Sequence, residues 1–144
     1  MSESTIFPAI AIASTGLRAE RQRMEVAANN LANAHATRGQ NGELYQRQVV
    51  LFSAAYGRAR NDDAQDLEGV RVDGVVPDKR TPLNVYAPYH PKADENGMVE
   101  QANVSTIEEM LDMISASRAY QANLSALQQS RDLARQTINL GKPS

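Results

Sequence analysis

At both ends of this 144-residue chain, apolar residues recur at alternating intervals of three and four. That rhythm keeps one stripe of a helix facing one neighbour over many turns, so it commits each terminus to a long helix packed along a partner. From about Pro8 to His35 the stripe is Ile10, Ala13, Leu17, Met24, Ala27 and Leu31, with Glu20 the one charged position. Pro8 suits a first helical turn, where a missing N–H costs nothing, and Gly16 is a mild weakness inside the helix. From about Ser105 to Leu140 the stripe is Met110, Met113, Ser117, Tyr120, Leu124, Leu127, Ala134 and Ile138, with Arg131 as its charged member. Ser105 and Glu108 form a capping-box candidate, Asn103 is the alternative cap, and Gly141 followed by Pro143 stops the helix. A second stripe, Val104, Ile107, Leu111 and Ile114, broadens the apolar face near the start of this helix and predicts that this half packs on something larger.

The chain between the helices has a different texture. LYQRQVVLF (residues 44–52) and GVRVDGVV (69–76) are rich in β-branched residues and bounded by Gly, Pro and Asp, so both read as strands. PLNVYAP (82–88) and GMVEQ (97–101) read as shorter ones, and the acidic NDDAQDLEG (61–69) as a solvated loop. The expected fold is therefore α+β: long helices at residues 1–35 and 103–144, and a small irregular β-rich insertion over 36–102.

Several function classes are disfavoured. A net charge of −2 without a basic stripe argues against holding nucleic acid by phosphate neutralisation. The longest apolar run, IFPAIAIA (residues 6–13), falls well short of the roughly 20 residues of a membrane span. MSEST ahead of it lacks the basic region of a signal peptide, and the absence of cysteine removes disulfides and thiolate metal sites. No G-x-S-x-G, phosphate-cradling Gly loop or H-E-x-x-H occurs. His35 and His90 lie beside predicted turns, where ordinary hydrogen bonding is expected. PYHPKADENG superficially resembles a calcium loop, but aligning Gly97 with the loop glycine puts Lys92 at the first ligand position and Asn103 at the last. A polar turn with Gly97 at positive φ is expected instead. Glu108, Glu109 and Asp112 stand in the first turns of the second helix, where the macrodipole favours acids in any case. No catalytic, cofactor or metal residue is assigned.

What remains unexplained is the small, amide-rich surface of the helices. ISASRAYQAN (114–123) places Ser115, Ser117, Ala119 and Asn123 around a single large Tyr120, and AANNLANA (27–34) repeats that vocabulary. Each buried CH₂ contributes about 0.8 kcal/mol, against about 1–2 kcal/mol of backbone entropy per ordered residue, so a lone pair of such helices is marginal. Asn29, Asn30 and Asn33 outnumber what helix termination requires, and some are expected to bond across an interface. Arg118 is either a solvated charge or a fork onto a partner's carboxylate or carbonyl. Ile6 to Ala13 is apolar around its whole circumference, which calls for neighbours on every side. These observations imply that both ends complete their folding in an assembly of many copies or of several related proteins.

RMEVAANNLANAHAT (23–37) and NVSTIEEMLDMISASRAYQANLSAL (103–127) resemble the amino- and carboxy-terminal signatures of bacterial flagellar rod and hook proteins. YQRQVVLF and HPKADENGMVEQANV extend the similarity over essentially the whole chain. The resemblance carries onto Asn30, Leu31, Ala32 and Asn33, and onto Glu108, Glu109, Met110, Arg118, Tyr120 and Asn123. His35-Ala36 and Ser105-Thr106 depart from the usual pairs. It implies a structural subunit whose terminal helices pair as an antiparallel coiled coil lining the inner tube of a rod, with the β insertion facing outward. Export would be unfolded, through the flagellar type III apparatus, without a cleaved signal. Partners would be copies of itself, other flagellar rod proteins and the basal-body component at the export gate. Subunit contacts would fall on Ile6, Ile10, Leu17, Met24, Asn30, Leu31 and Asn33, and on Met110, Met113, Ser117, Arg118, Tyr120, Asn123, Leu124, Leu127 and Ile138, with Glu20 set opposite Arg131. The rival is a coiled-coil adaptor or type III export chaperone that never polymerises; an enzyme is a distant third.

Overall fold

The computed structural model describes the backbone of residues 3–37, 42–56 and 67–140, and their side chains apart from residues 3–8, 67–68 and 140. In chain order the elements are α1 (Glu3–Ala32), β1 (Gln48–Tyr56), β2 (Leu67–Pro77), β3 (Leu83–Tyr86), β4 (Met98–Gln101) and α2 (Thr106–Leu140). Two long helices thus bracket a small β region of two two-stranded sheets, β1 with β2 and β3 with β4. β3 and β4 run antiparallel, with Val85 opposite Val99. Most of the acidic loop, residues 61–66, lies outside the described residues.

Helix boundaries follow local chemistry. α1 begins before Pro8, which is therefore its sixth residue and forgoes one helical backbone bond rather than sitting in the first turn. Its end is dressed by amides: the Asn33 side chain donates to the Asn29 carbonyl at 2.9 Å. At the start of α2 the Ser105 hydroxyl accepts the Glu108 N–H at 3.4 Å, while Asn103 instead donates to the Thr81 carbonyl at 2.6 Å. Ser105 is the cap. Glu108 leaves the capping box half-made, because its carboxylate takes Arg80 at 2.7 Å.

The expected polar turn forms around Asp94, whose Oδ1 accepts Asn96 N at 2.9 Å and Met98 N at 2.7 Å. Gly97 completes it at φ +75°. His90 has an ordinary structural role there, its Nδ1 accepting Lys92 N at 3.1 Å.

The chain divides into two compact units. The first comprises Met1–Gln22, Leu51–Gly74 and Ala116–Ser144. Within it Ala13, Ala19 and Ala116 are buried, and Gly16 lies directly against Asn123: a Cβ on Gly16 would stand 2.8 Å from Asn123 Nδ2. Gly16 is thus a point of close approach between helices rather than a defect. Gly69, at φ +120°, brings the start of β2 onto α1 beside Ile12 and Thr15, where Val70 N donates to Thr15 Oγ1 at 3.0 Å.

The second unit comprises Arg23–Val50 and Val75–Ser115. Its core gathers Ala34, Ala102 and Val104 with Tyr45 packed on them, and Ala27 and Val99 are buried nearby in sequence. The chain after α1 is tied to the end of β4 by the Thr37–Gln101 bridge and by Ala102 N donating to Ala36 O at 3.0 Å.

Candidate functional site

A heavily bonded point of the second unit is Asn30, buried to 1% exposure. Its Nδ2 donates to the Gln48 carbonyl at 2.8 Å and to Glu109 Oε2 at 2.9 Å. Its Oδ1 accepts Gln48 N at 2.8 Å and the Tyr45 hydroxyl at 2.8 Å. All four bonding positions of the amide are filled, which is what a buried amide requires. One side chain therefore ties α1 to α2 and to the first residue of β1.

Glu109, also 1% exposed, is the other half of the junction. Its Oε1 accepts Arg47 Nε at 2.6 Å, Arg47 reaches Asp78 at 3.2 Å, and Asp78 meets Arg80 at 3.1 Å. A chain of alternating charge thus runs from the buried carboxylate to Glu108 on the surface. Burial pushes the Tyr45 hydroxyl above its ordinary pKa, and the neighbouring Glu109 charge pushes it the same way. In the same unit Arg23 of α1 donates from Nε (2.9 Å) and Nη2 to Asp112 Oδ1 of α2.

This geometry revises the expected roles of the polar residues. Asn30 makes its bonds inside the chain, not across a subunit boundary, and Glu109 is a buried structural acid rather than an ornament of the helix dipole. Asn33 serves the local end of α1. Arg118 is exposed.

The buried face of α2 is also displaced from the expected stripe. Met113, Ser117, Tyr120, Leu127 and Ala134 are half-buried as anticipated, but other positions shift by one residue. Glu109 replaces Met110, Asn123 replaces Leu124 and half-buried Ser130 replaces Arg131, while Ala116 is buried beside half-buried Ser117. Met110 (51% exposed), Leu124 (37%) and Ile138 (63%) face outward. In α1, Ile10, Leu17, Met24 and Leu31 are half-buried, while the deepest positions are Ala13, Ala19, Ala27 and Asn30. The side chain of Ile6 lies outside the described residues. Of the two residues expected to stand opposite one another, Glu20 is half-buried and Arg131 exposed.

The reason is physical. Sequence periodicity assigns the bulkiest apolar residues inward, but close approach of two backbones needs small side chains at the contact, so bulk is turned out. The junction residues Tyr45, Arg47 and Asp78 were missed altogether. The available signal was that Tyr45 and Arg47, two apart in a non-helical segment, can share one face; nothing local marks Asp78.

A helix pair joined through small residues and amides, with its aliphatic bulk facing out, defines a subunit built to be packed among others. Comparison supplies the class. Residues 10–39 match the model described as "Flagella basal body rod protein", and residues 95–140 match "Flagellar basal body rod FlgEFG protein C-terminal". The flagellar basal-body rod protein FlgC of Borreliella burgdorferi is 39% identical, over 92% of this chain and 95% of that protein. The FlgC of Salmonella typhimurium is 38% identical over 91% and 94%, and that of Bacillus subtilis 31% over 96% and 99%. The chain belongs to the FlgC family of flagellar basal-body rod proteins, and is a structural subunit of that rod. Among the described residues, no helix is long and apolar enough to cross a membrane.

Proposed function

We propose that the chain polymerises through its terminal helices into the proximal rod, the drive-shaft that carries torque and encloses the export channel. The observation that carries this is the outward bulk of α2: Ile107, Leu111, Leu133 and Ile138 are each more than half exposed, at 70, 62, 57 and 63%. Large aliphatics left open to water gain by burial against a neighbour. Within the second unit, Arg23 meets Asp112, while Asn30, later in α1, meets Glu109, earlier in α2; this opposed direction supports pairing as an antiparallel coiled coil.

On this reading residues 1–35 and 103–144 form the helical core and residues 36–102 an outward β-rich insertion. Subunit contacts fall on the outward positions Met110, Arg118, Leu124 and Ile138, with Ile6 and the half-buried Ile10, Leu17, Met24, Leu31, Met113, Ser117, Tyr120 and Leu127 at their margins. Asn30, Asn33 and Asn123 act indirectly, by setting the register that presents those contacts. The subunit is non-enzymatic. Its partners are copies of itself, other rod proteins and the basal-body component at the export gate, reached through the type III apparatus.

The test is sedimentation of the purified chain alone and with related rod proteins. Open-ended growth is expected. A defined small complex that stops growing supports a non-polymerising adaptor instead.

A further inference from the structure

Two Asn–Gly steps occur in the chain, Asn41–Gly42 and Asn96–Gly97. Such a step is chemically labile, because glycine has no side chain to shield its amide nitrogen from the asparagine before it. That nitrogen, having given up its proton to base, attacks the asparagine Cγ, and the side-chain nitrogen leaves as ammonia. Water then opens the cyclic imide at either carbonyl, leaving aspartate or, with one more atom in the main chain, isoaspartate. Asn41 lies outside the described residues, whereas Asn96 is exposed in the turn between β3 and β4.

The fold leaves Asn96 open to water and base but holds the nucleophile away from it. Gly97 N donates to the Asp94 carbonyl at 2.9 Å, so loss of its proton forfeits a bond. Ring closure also requires the peptide between Asn96 and Gly97 to swing, and that peptide is pinned from both sides. Asn96 N and Met98 N share Asp94 Oδ1 at 2.9 and 2.7 Å, and the Gly97 carbonyl accepts Ala87 N at 2.8 Å. Gly97 is seated so closely against Tyr86 and Pro88 that a Cβ there would stand 3.1 Å from each.

We propose that Asn96 is a site of spontaneous deamidation, reactive in the unfolded chain and held inert by the Asp94 turn in the folded one. The site then keeps a lasting record of time spent unfolded. An isoaspartate there lengthens a turn whose bonds leave no slack, so a chain that has reacted refolds without the hairpin that sets Val85 opposite Val99. The inference stands on the turn and not on the rod reading, and the failure of either leaves the other untouched.

Full-length chain is incubated in mildly alkaline buffer, native and in guanidinium chloride, then digested in mild acid and mapped by mass spectrometry. In guanidinium, conversion is expected at both Asn41 and Asn96, and Gly97→Ala, whose effect there does not depend on folding, should slow it at Asn96 alone. In native chain Asn96 should convert at least about tenfold more slowly, because reaction awaits an opening that breaks several bonds together. Asp94→Ala should restore most of that lost rate under native conditions and change nothing in guanidinium, while Asp94→Asn, which keeps an acceptor oxygen, should stay slow. Equal rates at Asn96 in native and denatured chain, no conversion at Asn96 in guanidinium, or a native rate unmoved by Asp94→Ala would each overturn the proposal.

Discussion

Asn30 shows how much a single buried amide can organise. It makes four bonds to three residues, Tyr45, Gln48 and Glu109, and all four are lost if the amide is removed. A stranded buried polar group costs about 1–3 kcal/mol, and water reaching Gln48 relieves part of the sum, so Asn30→Ala should destabilise the monomer by about 3 kcal/mol. Asn33→Ala, which removes only local bonds to Asn29 at an exposed site, should cost less than about 0.5 kcal/mol. Denaturant unfolding separates the two; equal losses would contradict the junction. Tyr45 gives a pH signature. Its folded pKa is raised above the ordinary 10.0, so the folded state holds the phenol proton more tightly than the unfolded chain. Stability from this group is complete below the ordinary value and falls away as pH rises past it. Between about pH 8 and 11 the wild-type denaturation midpoint should therefore drop further than that of Tyr45→Phe, and parallel curves would refute the assignment.

At the scale of elements, glycine contacts fix where β2 and α2 meet α1 in the first unit. Gly69 combines positive φ with a Cβ path blocked by the Thr15 hydroxyl. Gly69→Ala should lose about 1–3 kcal/mol for the strained backbone alone, whereas Gly74→Ala, whose Cβ meets nothing within 4 Å, should be close to neutral in thermal unfolding. The sequence made both helices and all four strands legible, because each has its own period and flanking turn residues. β1 begins at Gln48 rather than Leu44; in the segment ahead of it the side chains of Tyr45 and Arg47 bond Asn30 and Glu109. The facing of α2 was legible only at Met113, Ser117, Tyr120, Leu127 and Ala134. A heptad count cannot see that Gly16 demands a small neighbour, nor that Arg47, some sixty positions away, makes Glu109 an interior residue.

For the whole molecule, tertiary cover is uneven. Ala27, Asn30, Ala34, Val99, Ala102, Val104 and Glu109, all of the second unit, are buried. From Arg131 to Asn139 every side chain is exposed except half-buried Ala134. Helical bonds without packing open cheaply, so in dilute monomer the slowest-exchanging amides should lie near residues 27–30 and 109–116 and the fastest helical ones in 131–139. Uniform protection along α2 would count against this. Assembly should then slow exchange in 131–139 most.

The amide of Asn30 also has a bearing on unwanted association. Arg47 O accepts Asp78 N, so the peptide groups of Gln48, one residue on, point to the opposite edge of β1, where Asn30 occupies both. A side chain there impersonates the next strand. The rim of β1 is consequently plugged at its first rung, and a stray extended segment, in a cell crowded with freshly made copies, finds no vacant backbone at that place on which to begin adding itself.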